Sequence, residues 1–241
     1  MISDSQIRNL INKYRTTEVN VEREYVQHLF LSYFYQEKTS AKIFFKGGTA
    51  LRLLYNSPRF SADLDFSTPF AGLREIEKPI QEAFVAIERE GIRVNLAESK
   101  ETSGGYLGII ELEPGQRKIK LQINISMRSG KAKGELMTVV NDFIPVYTVL
   151  GLERKTLFEE KIEALMSRQK ARDFYDLYFL LRANLLVARN KKVLQRIVSL
   201  VKKSNIKFEK ELTLFLPKSH SQVIRDFKDN LLREIETAVG G

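Results

Sequence analysis

The sequence predicts an α+β protein in which a mixed sheet with flanking helices is followed by a helical C-terminal lobe. Apolar residues recur at helical spacing within 4–38. Alternating segments follow, and Gly104-Gly105 and Pro114-Gly115 are turn signals between them. From Leu152 onward, helical patterns occupy nearly the whole chain.

The elements are expected in a definite order. Two helices occupy residues 4 to about 38, and the second carries Tyr25, Leu29 and Phe34 at helical spacing. Strands are expected at about 42–46, 63–67, 92–99, 106–113 and 118–126, with a helix at about 72–90. This order places a sheet-containing core with N-terminal helices at 1–150 and the helical lobe at 151–241.

Composition excludes several classes of protein. A chain of 241 residues, 43% of them hydrophobic, can bury a substantial core. It has no cysteine, which rules out disulfides, thiolate zinc sites and a cysteine nucleophile. The first residues lack the apolar stretch of a signal peptide, and no run approaches the ~20 apolar residues of a membrane span. We therefore expect a cytoplasmic protein with no membrane partner.

One stretch, 44–67, carries more than folding requires: FFKGGTALRLLYNSPRFSADLDFS. On a strand, Asp63 and Asp65 project to one face while Leu64 and Phe66 enter the core. Two adjacent carboxylates repel each other, and a bound cation is a natural reason for them. The alternative is the solvent face of an ordinary edge strand.

A glycine pair precedes these carboxylates. Gly47 and Gly48 leave the backbone unobstructed, and the N–H groups at the start of the next helix, near Thr49, form an anion site. An ordinary strand-to-helix turn is the alternative. A phosphate site followed by a magnesium-binding pair indicates a nucleoside triphosphate, and the absence of a G-x-x-x-x-G-K-[ST] sequence argues against a P-loop enzyme.

At these residues the chain resembles the nucleotidyltransferase superfamily typified by DNA polymerase beta. The segments 46–51 and 59–66 resemble more narrowly the AbiEii/AbiGii toxin family of type IV toxin–antitoxin and abortive-infection systems. The segment 21–26 is similar to the family's N-terminal helix, and 160–165 and 172–177 to its third and fourth motifs. The resemblance covers roughly residues 15 to 185 and implies a polymerase beta-like nucleotidyltransferase fold.

The resemblance also implies an activity and partners. It implies a Mg²⁺-dependent toxin that transfers a nucleoside monophosphate from an NTP to an acceptor hydroxyl, the 3′ end of tRNA, and so blocks translation. A separately encoded antitoxin is the implied partner. Asp63 and Asp65 would hold the metal and act in catalysis. The implied nucleotide-binding residues are Lys46, Gly47, Gly48 and Thr49. Ser61 lies two residues before Asp63 and is expected to share its face and touch a phosphate oxygen; a structural hydroxyl is the alternative.

The strand 118–126 alternates strictly, with a polar face that includes Gln122. In the superfamily a later strand supplies a third acidic residue, and Gln122 occupies that place here. An amide oxygen can coordinate magnesium but brings no charge, so a second metal is expected to be weakly held. Two explanations are open: catalysis uses one firmly bound metal, or a neighbouring carboxylate such as Glu111 replaces the missing acidic residue. A third is that 118–126 is a plain half-buried strand with no role in metal binding.

Three charged residues follow in the helical lobe. Lys161 shares the inward face of its helix with Leu157 and Leu165, so it needs an anion: a structural carboxylate or the triphosphate, unless it snorkels to the surface. The resemblance assigns a catalytic role to Lys161 and to Asp173, and a supporting, nucleotide-binding role to Asp176. Helix capping is the alternative for Asp173.

The excess positive charge is concentrated in the same lobe. The net charge is +9, and residues 151–241 hold 19 Lys or Arg against 12 Asp or Glu, an excess of +7. This favours a polyanionic acceptor such as RNA, although a solvated helical surface would have the same composition. Transfer to a small molecule, transfer to a protein, and an inactive nucleotide- or RNA-binding module are the other functions that the sequence allows.

Overall fold

The computed structural model describes residues 2–69, 72–115, 117–127, 132–186 and 191–240. The chain forms two compact units, Met1–Arg154 and Lys155–Gly241. Within the described residues, no helix is long and apolar enough to span a membrane.

The first unit contains four long helices and seven strands. The helices are α1 Asp4–Tyr14, α2 Glu18–Phe34, α3 Gly47–Tyr55 and α4 Leu73–Arg89, and a short 3-10 helix covers Lys38–Lys42. The strands are β1 Phe44–Lys46, β2 Leu64–Thr68, β3 Arg93–Thr102, β4 Gly105–Glu113, β5 Ile119–Met127, β6 Gly134–Val139 and β7 Tyr147–Leu152.

The seven strands form one sheet in the order β3-β4-β5-β2-β1-β7-β6. The pairs β2–β5 and β1–β7 are parallel, and the remaining pairs are antiparallel. The predicted mixed sheet with flanking helices is therefore confirmed. Its central strands β1 and β2 are the two that flank the glycine pair, so the sequence motif lies in the interior of the sheet.

Two details differ from the predicted elements. Strand β1 is only three residues long, because the 3-10 helix holds the chain up to Lys42. Strands β6 and β7 were not predicted at all. Strand β6 lies at the sheet edge and buries only Val139, so its sequence shows little of the apolar alternation on which strand prediction depends.

The core of the first unit lies between the sheet and the helices α2 and α4. Phe30 and Phe34 of α2 contact each other at 5.4 Å between ring centroids, and Phe34 lies 5.2 Å from Phe66 of β2. All three side chains are fully buried. Each such side chain contributes roughly 1.5–3 kcal/mol by leaving water, which fixes β2 firmly beneath the helices.

The second unit is helical. Its elements are α5 Arg154–Arg168, α6 Ala171–Arg182, α7 Lys191–Lys203, α8 Phe208–Leu212, α9 Ser221–Arg225 and α10 Phe227–Gly240. Aromatic residues centre its core: Tyr175 of α6 stacks on Phe227 of α10 at 5.9 Å, and Phe208 lies 5.0 Å from Phe227. Helix α6 is thus held by its buried face at the middle of this unit.

Candidate active site

Strand β2 presents two carboxylates on the face opposite its core side chains. Leu64 and Phe66 are fully buried, whereas Asp63, just before the strand, and Asp65 within it are half-buried. Lys46 of β1 is paired with Asp65 in the antiparallel register and is itself buried. The alternation therefore delivers both acidic groups beside the turn that follows β1.

Gly47 lies directly against Asp65. Its φ is +83°, and a Cβ placed on it would lie 2.2 Å from Asp65 Oδ2. Both the backbone conformation and the carboxylate's approach require glycine at this position. A Cβ on Gly48 would likewise meet the Arg59 guanidinium at 2.5 Å and Ser61 Oγ at 2.8 Å. The glycine pair thus brings the turn into contact with the segment that leads into β2.

Thr49 ties the start of α3 to the same segment. Its hydroxyl donates to the backbone oxygen of Asp63 at 2.5 Å. The N-cap residue of α3 is Lys46, whose side chain makes no capping hydrogen bond. The Thr49 hydroxyl proton is therefore engaged in shaping the site, and phosphate binding by this helix start would rely on backbone N–H groups.

Two amide side chains extend from Asp65 along β5. The parallel register pairs Asp65 with Asn124, whose Nδ2 donates to Asp65 Oδ1 at 3.0 Å. Gln122 Nε2 in turn donates to Asn124 Oδ1 at 2.9 Å. The neighbour of Asp65 is therefore Asn124, and Gln122 reaches it only through Asn124. Glu111 contacts Asn95 and Lys118 instead of these groups.

The residues around β2 fit a divalent metal ion. Carboxylate oxygens are the ligands that hard cations prefer, and Gly47 leaves room for Asp65 Oδ2 where any side chain would collide with it. Over the described ranges, no group of three or more His, Cys, Asp or Glu side chains has metal-binding geometry. Asp63 and Asp65 are thus the two acidic candidates, with Asn124 as a neutral neighbour.

Helix α2 lines the site with two residues that the sequence analysis did not single out. Gln27 Nε2 donates to the backbone oxygens of Ser61 and Ala62 at 2.9 and 3.2 Å. Arg23 lies one helical turn before Gln27. Burial lowers the pKa of the Arg23 guanidinium, and the Asp63 carboxylate opposes that shift. The sequence signals were the family resemblance of segment 21–26, which contains Arg23, and the four-residue spacing of Arg23 and Gln27. Neither signal says what these side chains face.

Lys161 and Asp176 form a buried ion pair in the second unit. Lys161 Nζ, on α5, donates to Asp176 Oδ2, on α6, at 2.8 Å, and the two side chains are 8% and 2% exposed. Lys161 therefore points inward and does not snorkel to the surface. A structural carboxylate on the next helix is one of its partners.

Asp173 has a different set of contacts. Arg168 binds it through Nε and Nη2, with the shortest separation 2.7 Å. Its Oδ2 also accepts from the backbone N–H of Lys170 at 3.1 Å. Asp173 is thus the third residue of α6 and reaches back to the N-cap residue, so both capping and ion pairing engage its carboxylate. Within the second unit, Lys161 is placed with Asp176 and Asp173 with Arg168.

A strand–glycine turn–helix followed by a strand with two carboxylates, in the interior of a mixed sheet, defines the nucleotidyltransferase class. The protein-family model described as "Nucleotidyl transferase AbiEii toxin, Type IV TA system" matches residues 29–238. The chain therefore belongs to the AbiEii nucleotidyltransferase toxin family. It is an enzyme of that class, and the family uses NTP and a divalent metal and implies an antitoxin partner.

Solved structures show the same fold at low identity. JHP933 from Helicobacter pylori aligns with a TM-score of 0.62 and 18% identity, covering 93% of this chain and 94% of that chain. The nucleotidyltransferase toxin MenT4 from Mycobacterium tuberculosis aligns with a TM-score of 0.64 and 14% identity, covering 100% and 99%. No curated protein matches the chain significantly.

Proposed function

We propose that this toxin is a Mg²⁺-dependent enzyme that transfers a nucleoside monophosphate from an NTP to the 3′ end of tRNA, blocking translation in the cytoplasm. The observation that carries the proposal is that the Gly47 turn lies directly against Asp65. Backbone N–H groups that can bind phosphate are therefore next to the carboxylates that can bind a metal ion. In the reaction, the acceptor hydroxyl loses its proton to solvent as its oxygen bonds the α-phosphorus. The bond between the α-phosphorus and the oxygen that bridges to the β-phosphate breaks, and pyrophosphate leaves with that oxygen.

Asp63 and Asp65 would hold the ion, which when bound offsets the negative charge of the triphosphate. The backbone of Gly47, Gly48 and Thr49 would bind phosphate oxygens, with Lys46 and Ser61 nearby. Asn124 and Gln122 would keep Asp65 oriented through N–H groups that donate toward it. The Gln122 N–H is the group used in this row, so its amide oxygen could still coordinate the ion.

The motif resemblance supports roles for the second unit. Lys161 would neutralise charge that develops as pyrophosphate leaves, with Asp176 setting its position, and Asp173 would act near the nucleotide or the acceptor. Under this proposal, residues 1–150 form the catalytic core, and the lobe at 151–241 contributes to the active site and binds the acceptor. The antitoxin would be a separately encoded protein.

The test is to incubate the protein with total RNA and each α-labelled NTP in Mg²⁺, then identify the labelled molecule. We expect label on tRNA, and loss of labelling in Asp63→Asn and Asp65→Asn. Asp229→Asn, at an exposed position on α10, is the control and should label normally. Undiminished labelling by both site variants would refute the assignment of the carboxylates. Label on protein or a small molecule would refute the acceptor, and no label with any NTP would indicate an inactive module.

A further inference from the structure

Arg23 is half-buried and carries a hydrogen-bond donor that lacks an acceptor. Its Nε is buried, and no hydrogen-bond partner for that atom is present among the described residues. The guanidinium makes one long contact, 3.4 Å from Nη1 to Asn20 Oδ1. An arginine side chain carries five N–H donors, and a buried donor without an acceptor costs free energy. A ligand with an acceptor oxygen would satisfy this donor.

The fold directs Arg23 toward the carboxylate pair. Gln27 follows it by four residues on α2, so the two side chains share one helix face. Gln27 holds the backbone of Ser61 and Ala62, the two residues before Asp63. Arg23 is accordingly within electrostatic range of Asp63, which opposes the effect of burial on the Arg23 pKa.

We propose that Arg23 is a further nucleotide-binding residue, whose guanidinium donates hydrogen bonds to the polyphosphate of the NTP held at Asp63 and Asp65. This inference rests on the proposed function. A divalent cation neutralises only part of the charge of a triphosphate, and a second cation beside the site complements the remainder. The planar guanidinium also offers paired donors that a lysine lacks.

A simpler role predicts different behaviour. If Arg23 served only to compensate the charge of Asp63, its removal would change metal binding and leave the nucleotide's own contacts intact. The proposal predicts that removing Arg23 weakens nucleotide binding and leaves metal binding intact, because the guanidinium N–H groups would donate to phosphate oxygens. Binding measurements on metal and nucleotide separately distinguish the two roles.

The experiment uses calorimetry on the full chain with Arg23→Gln, Arg23→Lys and the exposed control Arg89→Gln, and thermal unfolding without ligand to verify folding. Mg²⁺ alone, NTP with Mg²⁺, and pyrophosphate with Mg²⁺ are the three titrants. We expect Arg23→Gln to bind NTP and pyrophosphate about tenfold or more weakly, with Mg²⁺ binding undiminished. Arg23→Lys should recover part of the loss, and Arg89→Gln should match the wild type.

Equal NTP affinity in wild type and Arg23→Gln would overturn the inference and leave the proposed function standing. A change confined to Mg²⁺ binding, expected as tighter binding once a competing cation is removed, would overturn it in favour of charge compensation. If Arg23→Gln does not fold, Arg23→Lys decides: NTP affinity equal to wild type would overturn the specific role of the guanidinium. Wild-type protein that binds no NTP would overturn the proposed function itself.

Discussion

The position of the Asp65 carboxylate depends on the absence of a side chain at Gly47. We expect Gly47→Ala to abolish nucleotidyl transfer, because the new Cβ would lie 2.2 Å from Asp65 Oδ2 and displace that carboxylate. A positive φ at alanine should also cost on the order of 1–3 kcal/mol of unfolding free energy. Labelled transfer and urea unfolding measure the two effects.

Gly104→Ala is the matched control for this change. A Cβ on Gly104 meets nothing within 4 Å, so activity and stability should stay near wild type. Wild-type turnover in Gly47→Ala would show that the close approach of the turn to Asp65 is unimportant for catalysis.

Asn124 offers a second test of the residues around the carboxylates. Asn124→Asp removes the N–H that Asp65 accepts and places a third negative charge beside it. Without metal, we expect stability to fall by about 1–3 kcal/mol. With metal, three carboxylates should bind Mg²⁺ more tightly, so the melting temperature should rise more steeply with Mg²⁺ than in the wild type. Thermal unfolding across a Mg²⁺ series measures both.

Asn124→Ala separates the two causes. It also lacks the donor and should lose stability, but it supplies no new ligand and should show no added response to Mg²⁺. An equal Mg²⁺ response in Asn124→Asp and wild type would place Asn124 outside the metal's reach.

At the scale of elements, α5 and α6 are joined by the buried pair of Lys161 and Asp176. We expect Lys161→Met to cost about 3–5 kcal/mol of unfolding free energy, because it removes the cation paired with a buried carboxylate. Replacing both residues, as Lys161→Met with Asp176→Leu, should recover most of that stability, since two apolar side chains can fill the space of an ion pair. If Lys161 acts in catalysis, the double variant stays inactive although it is folded.

Arg168→Met provides the comparison for this pair. The Asp173 side chain is 1% exposed, but Arg168 is 46% exposed and the Lys170 N–H still donates to Asp173, so loss of this ion pair should cost less than loss of the pair of Lys161 and Asp176. Urea unfolding and labelled transfer are measured on all three variants. A double variant that turns over at the wild-type rate would remove Lys161 from the catalytic machinery.

The elements also show what sequence reasoning can and cannot reach. Strand β2 and helix α4 were predictable because their apolar periodicity is strong and local. The positions of Asn124 and Arg23 were not, because each depends on how distant segments pair. The register between β2 and β5 brings Asn124, not Gln122, to Asp65, and this register is invisible in either strand alone. Gln122 nevertheless belongs to the same hydrogen-bonded row.

For the whole molecule, the fold is conserved far more widely than its residues. MenT4 shares 14% identity over essentially the whole of both chains, yet its TM-score of 0.64 reports the same fold. Similarity of fold at this identity does not carry over the acceptor, because one fold supports many functions. The acceptor must therefore be tested on this chain itself, and the charged residues on its surface are the first ones to change.

The excess of +7 in residues 151–241 predicts that RNA contacts this lobe. Lys191, Lys192, Lys202 and Lys203 lie exposed on α7, two at each end. Changing all four to Glu should weaken RNA binding and lower its dependence on salt, by roughly 0.7 in the log–log slope for each lost phosphate contact of a single strand. NTP affinity should barely change. RNA and NTP affinities measured across a salt series test this.

The matched control changes four exposed residues of the first unit to Glu: Lys38, Lys42, Lys78 and Arg89. Both quadruple variants alter the net charge equally, so a long-range effect of charge would weaken RNA binding in both. Direct phosphate contacts would lower the salt slope only in the α7 variant, because contact with a phosphate releases a bound counterion. Identical slopes in the α7 variant and the wild type would remove α7 from the RNA path. Wild-type protein without measurable RNA affinity would instead favour a small-molecule or protein acceptor.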